Sequence, residues 1–322
     1  MILILSSSND LSTIEVTNWL HYYNVRFKVV YPEDLFRNIN ILNFSRSTIA
    51  DFWKEKIQCE LNEVSAVWCR KWPISRMFKS TNSDLSDKNN EKLNIATIEE
   101  IRVLNDLLLS VFPQEIVINH FNNPKISKLH QLLTARDCGL KIPETHIVSS
   151  KKVIKENLNK EIIAKSMNES LGLSDNEKFY SSYTSRVNSD LISAKEFVPS
   201  LVQEEIKKKY EVRSFIIGRS FFSMAIFSQE NEQTEVDFRV YDRTKPNKIA
   251  SYNLPSQLKE KIILFMNRLN LKTGSVDFIV DTNNVHYFLE VNPFGQFGMV
   301  SKPNNYNLEQ EIAKYLINYE VY

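Results

Sequence analysis

The chain has 322 residues, 43% hydrophobic and 11% aromatic, which is enough apolar material for two or three compact units with substantial cores. Forty basic residues (Lys and Arg) stand against 39 acidic ones, and a net charge of +1 gives no long-range attraction for DNA, RNA or an anionic membrane. Three cysteines without CxxC spacing disfavour a disulfide framework and a zinc site, and MILILSSSND lacks the basic start of an export signal, so a reducing cytoplasm is the expected setting.

Residues 2–5 read as a buried strand, and Ser12-Thr-Ile-Glu15 has the S-x-x-E form of a capping box that opens an amphipathic helix through Tyr23. Residues 27–31 and 66–69 read as further strands. The Asn- and Ser-rich stretch 81–90 reads as a surface loop, and Thr97-Ile-Glu-Glu100 as a second capping box before a helix. Residues 115–119 (EIVIN) close the series as a strand. Strands alternating with helices imply a parallel α/β sheet over 1–122, and no GxGxxG follows the first strand, so this sheet carries no dinucleotide fingerprint.

After the Asn-Asn-Pro turn at 122–124, a helix over 127–138 stops at Gly139, and short strands follow at 146–148, 162–165 and 179–184. A small α+β module over 123–203 accounts for them. From Leu201 the chain becomes strongly β: LVQEEI comes first, YEVRSFIIG and RSFFSMAIFSQ form a hairpin through Gly218-Arg219, and a helix over 255–269 precedes GSVDFIVD and VHYFLEVN, joined by Asn283-Asn284. The last unit, 204–322, ends in a helix over 308–319. No low-complexity linker separates the units.

The chemistry-bearing residues collect around the final hairpin. Glu290 and Asn292 are two apart on a strand and share a face, pairing across the turn can bring Asp277 alongside, and Leu289 and Val291 are expected to pack the opposite, core side. Three hard oxygen donors suit Mg²⁺, which keeps waters and shares substrate phosphates. Lys165 ends an apolar strand, where a charge facing a cavity needs an anion. Taken alone, Lys128 is as compatible with a helix-surface lysine, Arg239 with a pair to Asp237 or Asp242, Glu211 with a solvated strand residue, and Asn292 with a cap on the Pro293 turn.

The order Lys128, Lys165, Gln203-Glu-Glu-Ile206, Glu211-Val-Arg213, Asp277 and Glu290-x-Asn292-Pro293 resembles the ATP-grasp superfamily of carboxylate–amine and carboxylate–alcohol ligases. The segments VWCRK at 67–71, QEEIKKKYEVRSFIIG and FLEVNPFGQFG are similar to those of the graspetide synthetases, the microviridin-type and grasp-with-spasm-type peptide maturases. The resemblance implies an ATP-grasp fold, α/β and α+β: a parallel α/β pre-ATP-grasp domain at 1–122, a central α+β subdomain at 123–203 and a mainly antiparallel subdomain at 204–322.

It also implies roles. Lys128 and Lys165 would contact the ATP phosphates, and Gln203, Glu204, Glu205 and Ile206 would form the hinge that binds adenine. Glu211 would bind the ribose hydroxyls, and Asp277, Glu290 and Asn292 would hold two Mg²⁺ ions. Arg213 and Arg239 would face the γ-phosphate or the acceptor carboxylate. The implied reaction phosphorylates an Asp or Glu side chain of a precursor peptide bearing leader and core segments, then closes it onto Thr or Ser (an ω-ester, the favoured product) or Lys (an ω-amide). The implied partners are that peptide and a second copy of the chain in a homodimer, with no nucleic acid and no membrane. A different ATP-grasp ligase, adding amino acids to a protein C-terminus or joining small metabolites, shares the same nucleotide site and is the alternative.

Overall fold

Four short apolar strands organise the first unit, which takes in residues 1–123, 296–298 and 307–322. The computed structural model describes residues 1–36, 45–72, 86–121, 123–157, 161–167, 172–175, 178–181, 184–188, 190, 192–229 and 246–319. Strands β1 (Ile2–Leu5), β2 (Phe27–Val30), β3 (Ala66–Cys69) and β4 (Val117–Ile118) lie parallel in the order β2-β1-β3-β4. Every residue of β1 and β3 is buried, as central strands of a parallel sheet covered on both faces require.

Helices α1 (Leu11–Tyr22), α2 (Pro32–Phe36), α3 (Arg46–Ile57), α4 (Asp87–Leu109) and the C-terminal helix Leu308–Ile317, which packs against α1, also belong to this unit. Both capping boxes expected from the sequence are corrected. Asp10, not Ser12, caps α1: its carboxylate accepts from the Thr13 backbone N–H at 3.2 Å and the Thr13 hydroxyl at 2.8 Å. Thr97 lies inside α4 and donates its hydroxyl to the Leu93 carbonyl at 2.9 Å. The residues before it contain no Gly or Pro to stop the helix, so α4 runs back to Asp87 and takes in part of the expected 81–90 loop, whose residues 81–85 lie outside the described ones. The strand expected over 115–119 is only two residues long, because a 3₁₀ turn occupies Gln114–Ile116 and Asn119 turns to φ +58°.

A buried polar cluster sits where β1 and β3 end. Arg70, just past β3, is 3% exposed and faces Asp10 with Nε 3.3 Å from Oδ2. Burial lowers the pKa of the guanidinium, and the Asp10 carboxylate offsets part of that effect. Gln296 donates to Asp10 Oδ1 at 3.2 Å and accepts from the Ser12 hydroxyl at 2.6 Å, and Arg70 lies over the Phe297 ring at 5.2 Å.

The second unit takes in residues 124–295 and 299–306. Helix α5 (Lys128–Asp137) leads into β5 (Thr145–Ser150), α6 (Lys151–Asn157), β6 (Ile162–Lys165), the hairpin β7 (Gly172–Asp175) and β8 (Lys178–Ser181), β9 (Ser185–Arg186) and β10 (Glu196–Glu204). Strands β5, β10, β6 and β9 form an antiparallel sheet in that order. A second antiparallel sheet follows, made of β11 (Lys208–Ile217), β12 (Ser220–Phe227), β13 (Lys248–Tyr252), β14 (Thr273–Asp281) and β15 (His286–Asn292), in the order β13-β12-β11-β14-β15, with helix α7 (Ser256–Arg268) between β13 and β14. The expected turns are present: Gly139, one residue past the α5 C-cap, has φ +73°, Gly218 in the β11–β12 turn φ +56° and Asn284 in the β14–β15 turn φ +63°.

One face of the five-stranded sheet is apolar and is covered by α5 and α7. Val212, Ile216, Val276, Phe278, Phe288 and Val291 from the strands meet Leu132 and Ala135 of α5 and Ile262, Phe265 and Met266 of α7. The alternation that builds this face is broken on β15. Phe278 pairs with Phe288 but Asp277 pairs with Glu290, so Leu289 is an extra residue, a β-bulge. Leu289 is therefore half-buried and not a core residue as the sequence suggested, whereas Val291 packs the core as expected.

In the first unit Trp53 of α3 is fully buried, edge-on to Phe112, and its Nε1–H donates to the Leu108 carbonyl of α4 at 2.7 Å. Trp53→Ala is expected to cost about 3–5 kcal/mol, read as a lowered denaturant midpoint, with Trp53→Phe falling between it and the natural protein.

Candidate active site

The face of the five-stranded sheet opposite α5 and α7 carries the polar residues. On β11 these are Glu211 and Arg213, on β14 Ser275 and Asp277, and on β15 Glu290 and Asn292. Arg213 pairs in register with Asp277, Asp277 with Glu290, and Ser275 with Asn292. The bulge decides this arrangement. Phe288 and Val291 are three residues apart and both face the core, so the extra residue between them returns Glu290 and Asn292 to the opposite face.

Arg213 holds Asp277 with two parallel hydrogen bonds, Nε to Oδ1 at 2.7 Å and Nη2 to Oδ2 at 2.6 Å, and its Nη1 reaches Met299 Sδ at 2.8 Å. The side chains are 15% and 10% exposed. Lys128, the first residue of α5, places Nζ 3.3 Å from Glu290 Oε2 and 3.2 Å from the Ser166 carbonyl. Four charges, the adjacent carboxylates of Asp277 and Glu290 flanked by Arg213 on one side and Lys128 on the other, thus run in one row across three strands and a helix end. Like charges directly opposite on neighbouring strands repel, and the flanking cations offset that repulsion between Asp277 and Glu290.

Asn292 is exposed, and its Oδ1 accepts from the Phe294 backbone N–H at 3.0 Å, the turn-capping geometry noted as its alternative role. A carbonyl oxygen has a second lone pair, so this bond leaves capacity for another partner. Gly295 has its own structural reason: a Cβ there would stand 2.7 Å from Ser275 Oγ and 2.9 Å from Ser275 Cβ. The turn after Pro293 rests directly on β14.

Glu211 lies farther along β11, 8% exposed at its side chain and ion-paired to the equally buried Lys208, with the Ser228 hydroxyl donating to the same carboxylate oxygen at 3.2 Å. Lys208 is the residue the sequence did not single out. It is one of three consecutive lysines, and only the strand phase shows which of them turns inward. Between β10 and β11, residues 205–207 link the two sheets. Gln203, 2% exposed, donates to the Thr145 hydroxyl at 2.9 Å. Glu204 accepts from the Glu144 backbone N–H at 3.1 Å, and Glu205 is gripped by Arg186 through bonds of 2.7, 2.8 and 3.0 Å. Ile206 is half-buried, as is Lys165, which ends β6 opposite Leu201. Arg239 lies outside the described residues.

The residues present fit a hard divalent cation. Two facing carboxylates and a carboxamide oxygen form the donor set, and among the described residues no group of three His, Cys, Asp or Glu could cage a metal by itself. Such a set suits Mg²⁺, which takes its remaining ligands from water and phosphate. Among the described residues no helix is long and apolar enough to cross a membrane.

Several solved structures share this fold. The macrocyclase MdnC bound with precursor peptide MdnA, from Microcystis aeruginosa MRC, is 23% identical with a TM-score of 0.76 over 99% of this chain and 100% of that one. The ATP-grasp ligase PsnB complexed with a minimal precursor is 17% identical, with a TM-score of 0.74 and 99% of each chain covered. The Chryseobacterium gregarium RiPP-associated ATP-grasp ligase, solved with ADP and a leader and core peptide, is 20% identical, with a TM-score of 0.72 over 98% of this chain and 94% of that one. Among curated proteins none matches. Residues 125–316, more than half of the sequence and all of the elements that build the charged row, match the RimK-like ATP-grasp domain, and the chain belongs to that family.

Proposed function

We propose that this protein is an ATP-dependent peptide macrocyclase that activates Asp or Glu side chains of a ribosomally made precursor peptide and closes them onto Thr or Ser hydroxyls. The observation that carries the reading is the Arg213–Asp277–Glu290–Lys128 row, lying in an ATP-grasp chain whose full length resembles ligases solved with precursor peptides.

In this reading residues 123–203 and 204–322 are the two grasping subdomains, and Gln203, Glu204, Glu205 and Ile206 bind adenine at the connection between them, largely through backbone groups. The Arg186 grip on Glu205 and the Thr145 bond to Gln203 hold that connection in shape. Glu211, ion-paired with Lys208, accepts hydrogen bonds from the ribose hydroxyls. Lys128 and Lys165 bind phosphate oxygens, and Arg213 and Arg239 face the γ-phosphate or the acceptor carboxylate. Asp277, Glu290 and Asn292 hold two Mg²⁺ ions, which when bound neutralise charge on the β- and γ-phosphates.

A peptide carboxylate oxygen attacks the γ-phosphorus, the bond to the ADP oxygen breaks, and an acyl phosphate and ADP result. A peptide hydroxyl then attacks the acyl carbon, inorganic phosphate leaves, and the hydroxyl proton passes to phosphate or solvent. The chain's share is positional and electrostatic, and no covalent enzyme nucleophile is needed. The cytoplasm and a homodimer complete the proposal.

With ATP, Mg²⁺ and the peptide encoded beside the gene, mass spectrometry is expected to show ADP and a product lighter by one water per ring. Glu290→Ala, folded by circular dichroism, should give no product, and a fully active variant would refute the metal assignment. EDTA should stop the reaction and excess Mg²⁺ restore it. Mild base should open the rings if they are esters, whereas rings that survive it are amides. A product gaining an amino acid instead of losing water would establish the alternative ligase.

A further inference from the structure

Strand β15 is the edge of its sheet, and two residues past the bulged Leu289 its Val291, 3% exposed, carries outward-facing backbone groups that no strand among the described residues satisfies. A single buried side chain does so. Gln131 of α5, 4% exposed, accepts from the Val291 N–H with Oε1 at 2.8 Å and donates to the Val291 carbonyl with Nε2 at 3.0 Å; Nε2 also donates to the Ile126 carbonyl at 2.7 Å. One helical turn earlier on α5, Lys128 meets Glu290. Val291 itself lies between Glu290 and Asn292.

The phase of this strand has an alternative that the ladder alone does not forbid. Without the extra residue at Leu289, pairing would set Leu289 opposite Asp277, turn Glu290 toward the core and bring Val291 to the polar face. The side-chain amide of Gln131 grips the backbone at Val291, two residues past the extra Leu289, where the two phases call for opposite faces of the strand.

We infer that Gln131 is a positioning residue for the metal-binding strand: it locks β15 in its bulged register, so that Glu290 and Asn292 stay on the polar face of the sheet. The inference rests on the metal roles given to Glu290 and Asn292 above. Gln131→Met keeps the volume and removes all three hydrogen bonds. With Mn²⁺ as the probe and ADP present, electron paramagnetic resonance titration is expected to show metal affinity lowered by about tenfold or more. ADP affinity measured by calorimetry in EDTA should stay at the natural value, because the hinge and Glu211 are untouched. A residue that only stabilises the fold would leave both affinities alone or lower both together, and either result would overturn the proposal.

Glu290→Ala in the same titration separates the two readings. If it binds Mn²⁺ like the natural protein, the metal assignment itself is wrong; if it loses Mn²⁺ while Gln131→Met retains it, only the role of Gln131 is wrong. Should Gln131→Met fail to fold, Gln131→Glu takes its place, keeping the acceptor for the Val291 N–H and losing both donors. Natural Mn²⁺ affinity in that variant would sink the proposal as well.

Discussion

The bulge at Leu289 is the constraint on which the polar face depends. A strand alternates with period two, and a continuous ladder through FLEVN would give either a core with a glutamate in it or a site without one. One extra residue lets Phe288 and Val291 both enter the core while Glu290 and Asn292 face away from it. Everything else on that face is arranged around this phase change. Arg213 meets Asp277 in register, Lys128 approaches from α5, and the turn beyond Pro293 settles onto Ser275.

Three ion pairs on or beside this face are largely withdrawn from water: Arg213–Asp277, Lys128–Glu290 and Lys208–Glu211. Such pairs lose several kcal/mol per ion in desolvation and often contribute less to stability than apolar residues of equal volume would. Their concentration on one side of one sheet is therefore better explained by chemistry than by folding. In the proposed reading, a polyanion arriving with a divalent cation exchanges partners with each pair, cation side chains going to phosphate and carboxylates to metal, without leaving any buried charge unmatched.

Much of this was legible in the sequence because it depends on period and spacing. Alternating strands and helices announced the parallel sheet of the first unit, and the single residue between Glu290 and Asn292, with a turn between them and Asp277, announced the shared face. What escaped depends on choices between equivalent neighbours. FLEV offers apolar residues in either strand phase, so the bulge left no trace. In KKKYE any of three lysines could turn inward, and Gln131 reads as an ordinary polar position on an amphipathic helix. Asp10 and Ser12 are both good caps, and only the path of the chain after β1 decides between them. Thr97 failed as a helix start for a related reason: a capping motif has meaning only where something upstream stops the helix.

The contact of Gly295 with Ser275 makes the two positions one shared volume. A larger side chain at either would have to displace the other or lift the turn from the strand, so their sizes can change only together. Across diverging sequences of this architecture, the residue beneath the turn and the residue in it should vary as a pair whose combined bulk is conserved, even where neither one is.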